Sequence, residues 1–334
     1  MGNEQWATGL RDPEPAAPSP ALADFAQNVR LGLQRTPKQI LPRYLYDELG
    51  SALFEAICRL PWYRVTRAEI GLLARHGTDV AACLQSPVTV VELGSGSGEK
   101  LLTLLEAMDL EPRPSDIHLI DVSAEALRLS AQALSRLRVS VSLHQTTYRA
   151  GLQQMAAARR PDGTMLGLFL GSNIGNFHPA EAQDLLRGIR GTLRPGDALL
   201  LGVDLVKPEA DLLAAYDDPL GVTAAFNRNL LVRINRELGA DFELGAFEHR
   251  AGWNAVASRV EMHLVSRRAQ RVSIPGAGCV ATFAAGETIW TESSYKYDRA
   301  GIAALVGPAG FRQREQWIDP DARFALTLFE AAGN

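Results

Sequence analysis

The sequence predicts an α/β protein with a doubly wound parallel sheet, a terminal antiparallel hairpin and a second, smaller α+β unit. Three observations carry this. Five apolar or β-branched runs alternate with helical runs between Pro87 and Val206, the rhythm of a parallel sheet covered by helices on both faces. The alternation breaks after Lys207, where a helical stretch is followed by consecutive strand-like runs up to Tyr295. The last segment, FRQREQWIDPDARFALTLFEA, reads as two strands around a turn at Asp319-Pro320-Asp321.

Taken in order, Asp12 to Pro20 is rich in Pro, Ala and Ser and reads as part of a flexible tail over 1–22. Ala21 to Leu33 has helical spacing. Leu49, Leu53, Phe54 and Ile57 place a helix over Ser51 to Arg59, which Pro61 terminates. Thr66 with Glu69 three residues later reads as a capping box opening a second helix. PVTVVEL, IHLIDVS, VSVSLHQ, MLGLFLG and DALLLGVDLV are the five parallel strands. Helices are expected over the run after Gly98, over SAEALRLSAQALSRL and over AEAQDLLRGIRGTL. After Lys207, ADLLAAY and TAAFNRNLLVRINRELG are helical, and AFEHRAGWNAVASRVEMHLVSR, QRVSIPG and CVATFAAGETIWTESSYKY are strand-like. The expected division is a tail (1–22), an N-terminal helical region contributing to a substrate site (23–78), a nucleotide-binding type of domain (79–207 with 296–334) and an inserted substrate domain (208–295).

Composition narrows the function. The chain has 334 residues, 46% hydrophobic and 22% charged, enough for a sizeable core. A net charge of −4 supplies no strong basic field for a phosphate backbone, so no nucleic-acid partner is expected. Cys58, Cys83 and Cys279 are far apart without a CxxC pair, which argues against zinc or a disulfide framework and for a reducing cytoplasm. The six histidines have no HExxH-type spacing, and no metal site is expected. The N-terminus lacks a secretory apolar region, and no apolar run approaches the ~18 residues of a membrane span.

The chemistry starts at Glu92-Leu93-Gly94-Ser95-Gly96-Ser97-Gly98, which follows a strand and opens a helix. Glycines there allow close backbone approach, and the helix N-terminus offers free N–H donors. Asp121 ends the next strand, where a carboxylate accepts from ribose hydroxyls, while Ser123 suits the N-cap of the following helix. The motif alone admits a nicotinamide dinucleotide as well. The terminal hairpin and the acidic residue opening the motif point instead to S-adenosylmethionine (SAM) on a Rossmann-like methyltransferase sheet.

The segments YLYDELGSALFE, RLPWYRVTRAE, GSNIGN, AYDDPLGVTAAFNRN, RVEM and TESSYKY together resemble the bacterial histidine Nα-methyltransferases that form hercynine for ergothioneine biosynthesis. The resemblance runs from about Leu41 to Phe329. It implies that Gly94, Ser95, Gly96, Lys100 and Asp121 hold SAM. Thr147 and Tyr148 stand where the family carries an acidic residue followed by Phe near the adenine. It implies L-histidine as substrate, bound by Tyr63, Gly171, Asn176, Tyr216, Met262, Glu292, Ser293 and Ser294, with Tyr46 and Asn176 at the reacting amine. Glu292 and Ser294 match the pair that binds the imidazole. A carboxylate and a hydroxyl satisfy both ring nitrogens, which an indole cannot do.

Methyl transfer from a sulfonium is an in-line displacement, so alignment and water exclusion are the main tasks. The attacking amine must be neutral; a nearby positive sulfonium disfavours its ammonium form, and its proton leaves through water or Tyr46. The rival readings are a SAM enzyme for another amino acid or amine, and a SAM-binding protein without turnover. A monomer is expected.

Overall fold

The computed structural model describes residues 19–110, 114, 116–137, 139–158 and 162–333. Most of the expected tail lies outside them, but its last positions, Pro20 to Leu22, are already helical. Helix α1 (Pro20–Leu33) begins there because Ser19 accepts from the Leu22 amide and Pro20 fits the first turn. Phe25, Val29 and Leu33, four residues apart, form its buried face. Strand β1 (Lys38–Gln39) follows. Helix α2 (Glu48–Cys58) starts three residues before the expected position because Asp47, accepting from the Gly50 amide, is its cap. Helix α3 (Val65–Ala82) corrects the sequence reading: it opens without a side-chain cap, and Glu69 is fully buried rather than reaching back to residue 66.

The doubly wound half is β2 (Val88–Leu93), α4 (Glu99–Met108), β3 (Asp116–Asp121), α5 (Ala124–Leu134), β4 (Ser140–Gln145), α6 (Tyr148–Ala158), β5 (Thr164–Phe169), α7 (Pro179–Thr192) and β6 (Ala198–Asp204). Ser123 caps α5 as expected, accepting from the Ala126 amide. Helix α6 went unread in the sequence. It packs close to β3: a Cβ on Gly151 would stand 2.5 Å from the Ile120 side chain.

The chain continues with α8 (Glu209–Tyr216), α9 (Val222–Leu238), β7 (Phe247–Asn254), β8 (Arg259–Ser266), β9 (Gln270–Ile274), β10 (Cys279–Phe283), β11 (Thr288–Tyr295), α10 (Arg299–Val306), β12 (Phe311–Asp319) and β13 (Phe324–Ala331). The large sheet has the order β12-β13-β6-β5-β2-β3-β4, with β13 antiparallel to both neighbours and the rest parallel. Chain order reverses between β2 and β5, so the crevice at their carboxyl ends is the topological switch point where ligands bind in open α/β sheets. The terminal hairpin turns where Asp319 accepts from the Asp321 and Ala322 amides.

The smaller sheet has the order β1-β11-β8-β7, with β9 and β10 pairing separately. Its edge strand β1 comes from the N-terminal region, parallel to β11, which the expected division did not include. The core lies on both faces of the large sheet. Along β2, Val88 and Val90 face the side packed by α1, α3 and the smaller sheet, whereas Val91 and Leu93 face α7 and α10. Burial on both faces explains why these strands read as continuous apolar runs.

Candidate active site

The glycine motif forms the turn from β2 into α4, with Gly94 at φ 83°, Gly96 at 52° and Gly98 at 77°. Gly94 is needed twice over. Its φ is left-handed, and a Cβ would meet the Tyr148 hydroxyl at 2.7 Å and Asn173 Nδ2 at 2.8 Å. Asp121 ends the neighbouring strand and accepts from the Ser123 amide at 2.8 Å. Burial pushes the Asp121 carboxyl above its ordinary range, although backbone donors of Gly96 and Ser95 also reach it. The carboxylate therefore pins the glycine turn to β3.

Two buried polar atoms at this turn, Glu92 Oε2 and Ser95 Oγ, have no hydrogen-bond partner among the described residues. Burial pushes the Glu92 carboxyl up to about 8, against the opposing charge of Lys100. Buried polar atoms seldom stay unpaired, so these fit a polar ligand such as the amino-acid portion of SAM. Tyr148 is partly buried, edge-on to Phe169 at 5.5 Å, whereas Thr147 is exposed at the start of α6.

Lys100, expected at the cofactor, has its Nζ 2.7 Å from Glu69 Oε2. Both Glu69 oxygens also accept from the Gly171 amide, at 2.9 and 2.8 Å. Glu69 thus ties α3 and α4 to the loop after β5. That loop is left-handed at Gly171 (φ 74°) and at Ser172 (φ 58°), where a non-glycine residue is uncommon. The Ser172 hydroxyl accepts from the Asp204 amide at 3.0 Å, which helps hold the turn. Asn173–Asn176 form the single helical turn that follows.

Next to this loop is a cavity of about 450 Å³, counting its open mouth. It is lined by Tyr46, Tyr63, Gly171, Asn176, Tyr216, Met262, Glu292 and Ser294 among the expected residues. Phe54, Ile57, Asn173, Thr223 and Phe226 line it as well. Tyr46 stands edge-on to Phe54 and Phe226, 5.5 Å from each. Tyr63 and Tyr216 meet edge-on at 6.4 Å. Strand β11 has a register shift between Trp290 and Glu292, after which Glu292 and Ser294 share the face toward the cavity. Ser293 is buried but does not line it, because alternation turns it to the opposite face.

Burial pushes the Glu292 carboxyl up to about 7, partly offset by Lys296. Burial also raises the phenols of Tyr46, Tyr63 and Tyr216, which keeps them protonated near neutrality. Sequence reasoning missed the buried Lys296, Asp204 and Glu69. Lys296 Nζ donates to Tyr216 Oη at 2.8 Å and Ser294 Oγ at 2.9 Å, and pairs with Asp204 at 3.1 Å. A signal for it existed: Glu292, Ser294 and Lys296 alternate along one strand face. Glu69 had none beyond its place in an apolar helix face.

A family model described as histidine-specific methyltransferase, SAM-dependent, matches residues 25–331. The histidine N-alpha-methyltransferase of Mycolicibacterium smegmatis is 43% identical over 94% of this chain and 96% of its own. That of Mycobacterium tuberculosis is 41% identical over 90% and 93%. The ergothioneine biosynthesis protein 1 of Neurospora crassa is 32% identical over 84% of this chain, which matches 32% of that longer protein. A glycine turn with unpaired buried polar atoms, opening beside a polar cavity at the switch point, agrees with that match, and the chain belongs to the SAM-dependent, histidine-specific methyltransferases.

Proposed function

We propose that the protein methylates the α-amine of L-histidine three times, giving Nα,Nα,Nα-trimethylhistidine for ergothioneine biosynthesis. The observation that carries this reading is the cavity itself. It sets an acceptor and a hydroxyl, Glu292 and Ser294, on one strand, and Gly171 and Asn176 on the loop whose Asn173 approaches Gly94 of the glycine turn. An amino acid with a polar ring fits with its ring on β11 and its amine toward the cofactor.

SAM supplies an electrophilic methyl group and leaves as S-adenosylhomocysteine. Gly94, Ser95, Gly96, Asp121 and Tyr148 form its cradle, and Glu92 offers its unpaired oxygen. Lys100 and Thr147 act at one remove, the first by fixing Glu69 and the second by starting α6. Asn176 holds the substrate carboxylate, and Tyr216, whose hydroxyl donates to Ser294, closes the ring pocket with Tyr63 and Met262. Tyr46 orients the amine as a neutral hydroxyl. Glu292, the one carboxylate among the lining residues, belongs to the ring rather than to the amine, so the amine's proton leaves to water before each transfer.

We read 208–295 with the N-terminal region as the substrate-binding part, and 79–207 with 296–334 as the SAM-binding part. We further read the protein as a cytoplasmic monomer that does not bind nucleic acid. Three free thiols fit a reducing compartment, and no helix among the described residues is long and apolar enough to cross a membrane.

The test is mass spectrometry of protein incubated with SAM and an equimolar pool of amino acids. Histidine gaining three methyl groups is the expected result. Methylation of another amino acid instead would overturn the Glu292–Ser294 argument, and SAM binding without any product would favour a non-catalytic role.

A further inference from the structure

The ring wall is backed by a buried triangle of hydrogen bonds. The Lys296 ammonium has three N–H donors, and all three are engaged, by Tyr216 Oη, Ser294 Oγ and Asp204 Oδ2. Asp204 is held on its other side by Lys207 at 2.6 Å, which also donates to the Ala322 carbonyl. Lys296 is 3% exposed and Asp204 2%, so neither exchanges this arrangement for water.

The two hydroxyls at the apex are 2.7 Å apart. A lysine can only donate, so each hydroxyl accepts from it. Between them one hydrogen is spent on the Tyr216–Ser294 bond. A phenol is the stronger acid, so Tyr216 donates and Ser294 accepts, the direction the geometry gives. Ser294 Oγ then accepts twice, and its own hydrogen is the one left to point into the cavity. Two residues earlier on the same face, Glu292 offers a carboxylate as acceptor. The wall therefore presents one donor and one acceptor. A neutral imidazole offers the complement, one bare nitrogen and one N–H, whereas an imidazolium offers two N–H groups and would leave the Ser294 hydrogen opposed.

We propose that Lys296 is a positioning residue that fixes Ser294 as a hydrogen-bond donor, so that the cavity takes up the substrate ring neutral and in a single tautomer. Asp204 and Lys207 hold Lys296 in place. The net charge around the ring agrees: with Glu292 ionised, Asp204, Lys207, Lys296 and Glu292 sum to zero, so the wall as a whole does not call for a cationic ring even though Glu292 alone would. The inference rests on histidine being the substrate.

A double-mutant cycle and a spectrum test it. Lys296→Met leaves Asp204 paired with Lys207, and retained SAM affinity checks that this variant is folded. Losing one well-placed donor should weaken histidine binding about tenfold, whether by Ser294→Ala or by Lys296→Met. If Lys296 acts through Ser294, the double variant binds histidine no more weakly than Ser294→Ala alone. Losses that multiply, or a Lys296→Met protein with unchanged histidine Kd, overturn the proposal. Should Lys296→Met not fold, the wild type decides: ring ¹⁵N shifts of labelled histidine are recorded in the complex with S-adenosylhomocysteine near pH 6, where about half or more of free histidine is imidazolium. One protonated and one bare nitrogen is expected; two protonated nitrogens, or two averaged ones, overturn it. A wild type that methylates histidine yet gives either spectrum loses only this inference, whereas one that neither binds nor methylates histidine loses the functional reading too.

Discussion

Glu292 illustrates how one residue serves the site at a cost to the fold. Its carboxyl is pushed from an ordinary 4.5 up to about 7 by burial. The folded protein thus holds this proton more tightly than the unfolded chain does. The stabilisation is complete at acid pH and is lost as pH rises from about 4.5 through about 7. Without ligand, Glu292→Gln should therefore be more stable than wild type at pH 8, by at most about 3 kcal/mol and seen as a higher Tm, with the gap closing toward pH 5. The same variant should lose at least about tenfold in kcat/KM for histidine, since an amide turns an acceptor site partly into a donor. Thermal scans and steady-state rates across that range check both. Tyr46 makes a contrasting case. Its raised phenol stays neutral, so Tyr46→Phe should lower kcat without moving the alkaline limb of the pH profile; a moved limb would place Tyr46 in the proton path.

At the scale of elements, one carboxylate joins α3, α4 and the loop after β5, beside the direct packing of α3 on α4. Glu69 reaches the centre of the molecule only because β6 has a glycine opposite it: a Cβ on Gly202 would lie 1.8 Å from Glu69 Oε1. Gly202→Ala should displace that carboxylate and cost about 1–3 kcal/mol by overpacking. It should also raise the KM for both SAM and histidine, because Gly171 and Lys100 lose their common partner. Denaturant melts with paired kinetics read this directly, and an alanine variant with unchanged binding would show that the Glu69 contact is only structural. The capping box expected at Thr66–Glu69 failed for the same reason. A sequence window rewards Glu at the third helical position, but the buried Gly171 amide and Lys100 compete for it from segments far along the chain.

On the scale of the whole molecule, the cavity is assembled from parts distant in sequence: the α2–α3 region, the loop after β5, helices α8 and α9, and strands β8 and β11. The N-terminal segment is structural as well, since β1 extends the smaller sheet and Arg233 stacks over Phe25 at 4.8 Å. Truncating the fully buried Phe25 to alanine should cost about 3–5 kcal/mol, seen as a lowered Tm, although the residue is remote from the site. Each ligand should in turn stabilise the intact protein by about 2.7 kcal/mol at a hundredfold excess over Kd, seen as a raised Tm. In Glu292→Gln the increment from histidine should shrink while that from SAM remains.

The alternation of strands and helices, the glycine turn, Asp121 and the terminal hairpin were all legible along the chain, because each depends on local periodicity or on a backbone conformation that few residues adopt. So were Glu292 and Ser294, through the segments that carry the family resemblance. The edge strand β1, the roles of Glu69 and Lys296, and the turning of Ser293 away from the cavity were not. Each is settled by what a residue meets across the fold: a free sheet edge, a buried amide, two hydroxyls beside a buried carboxylate, a bulge that sets which side chains face inward. Burial gives these long-range meetings their strength, since polar groups removed from water must find partners wherever the packing provides them.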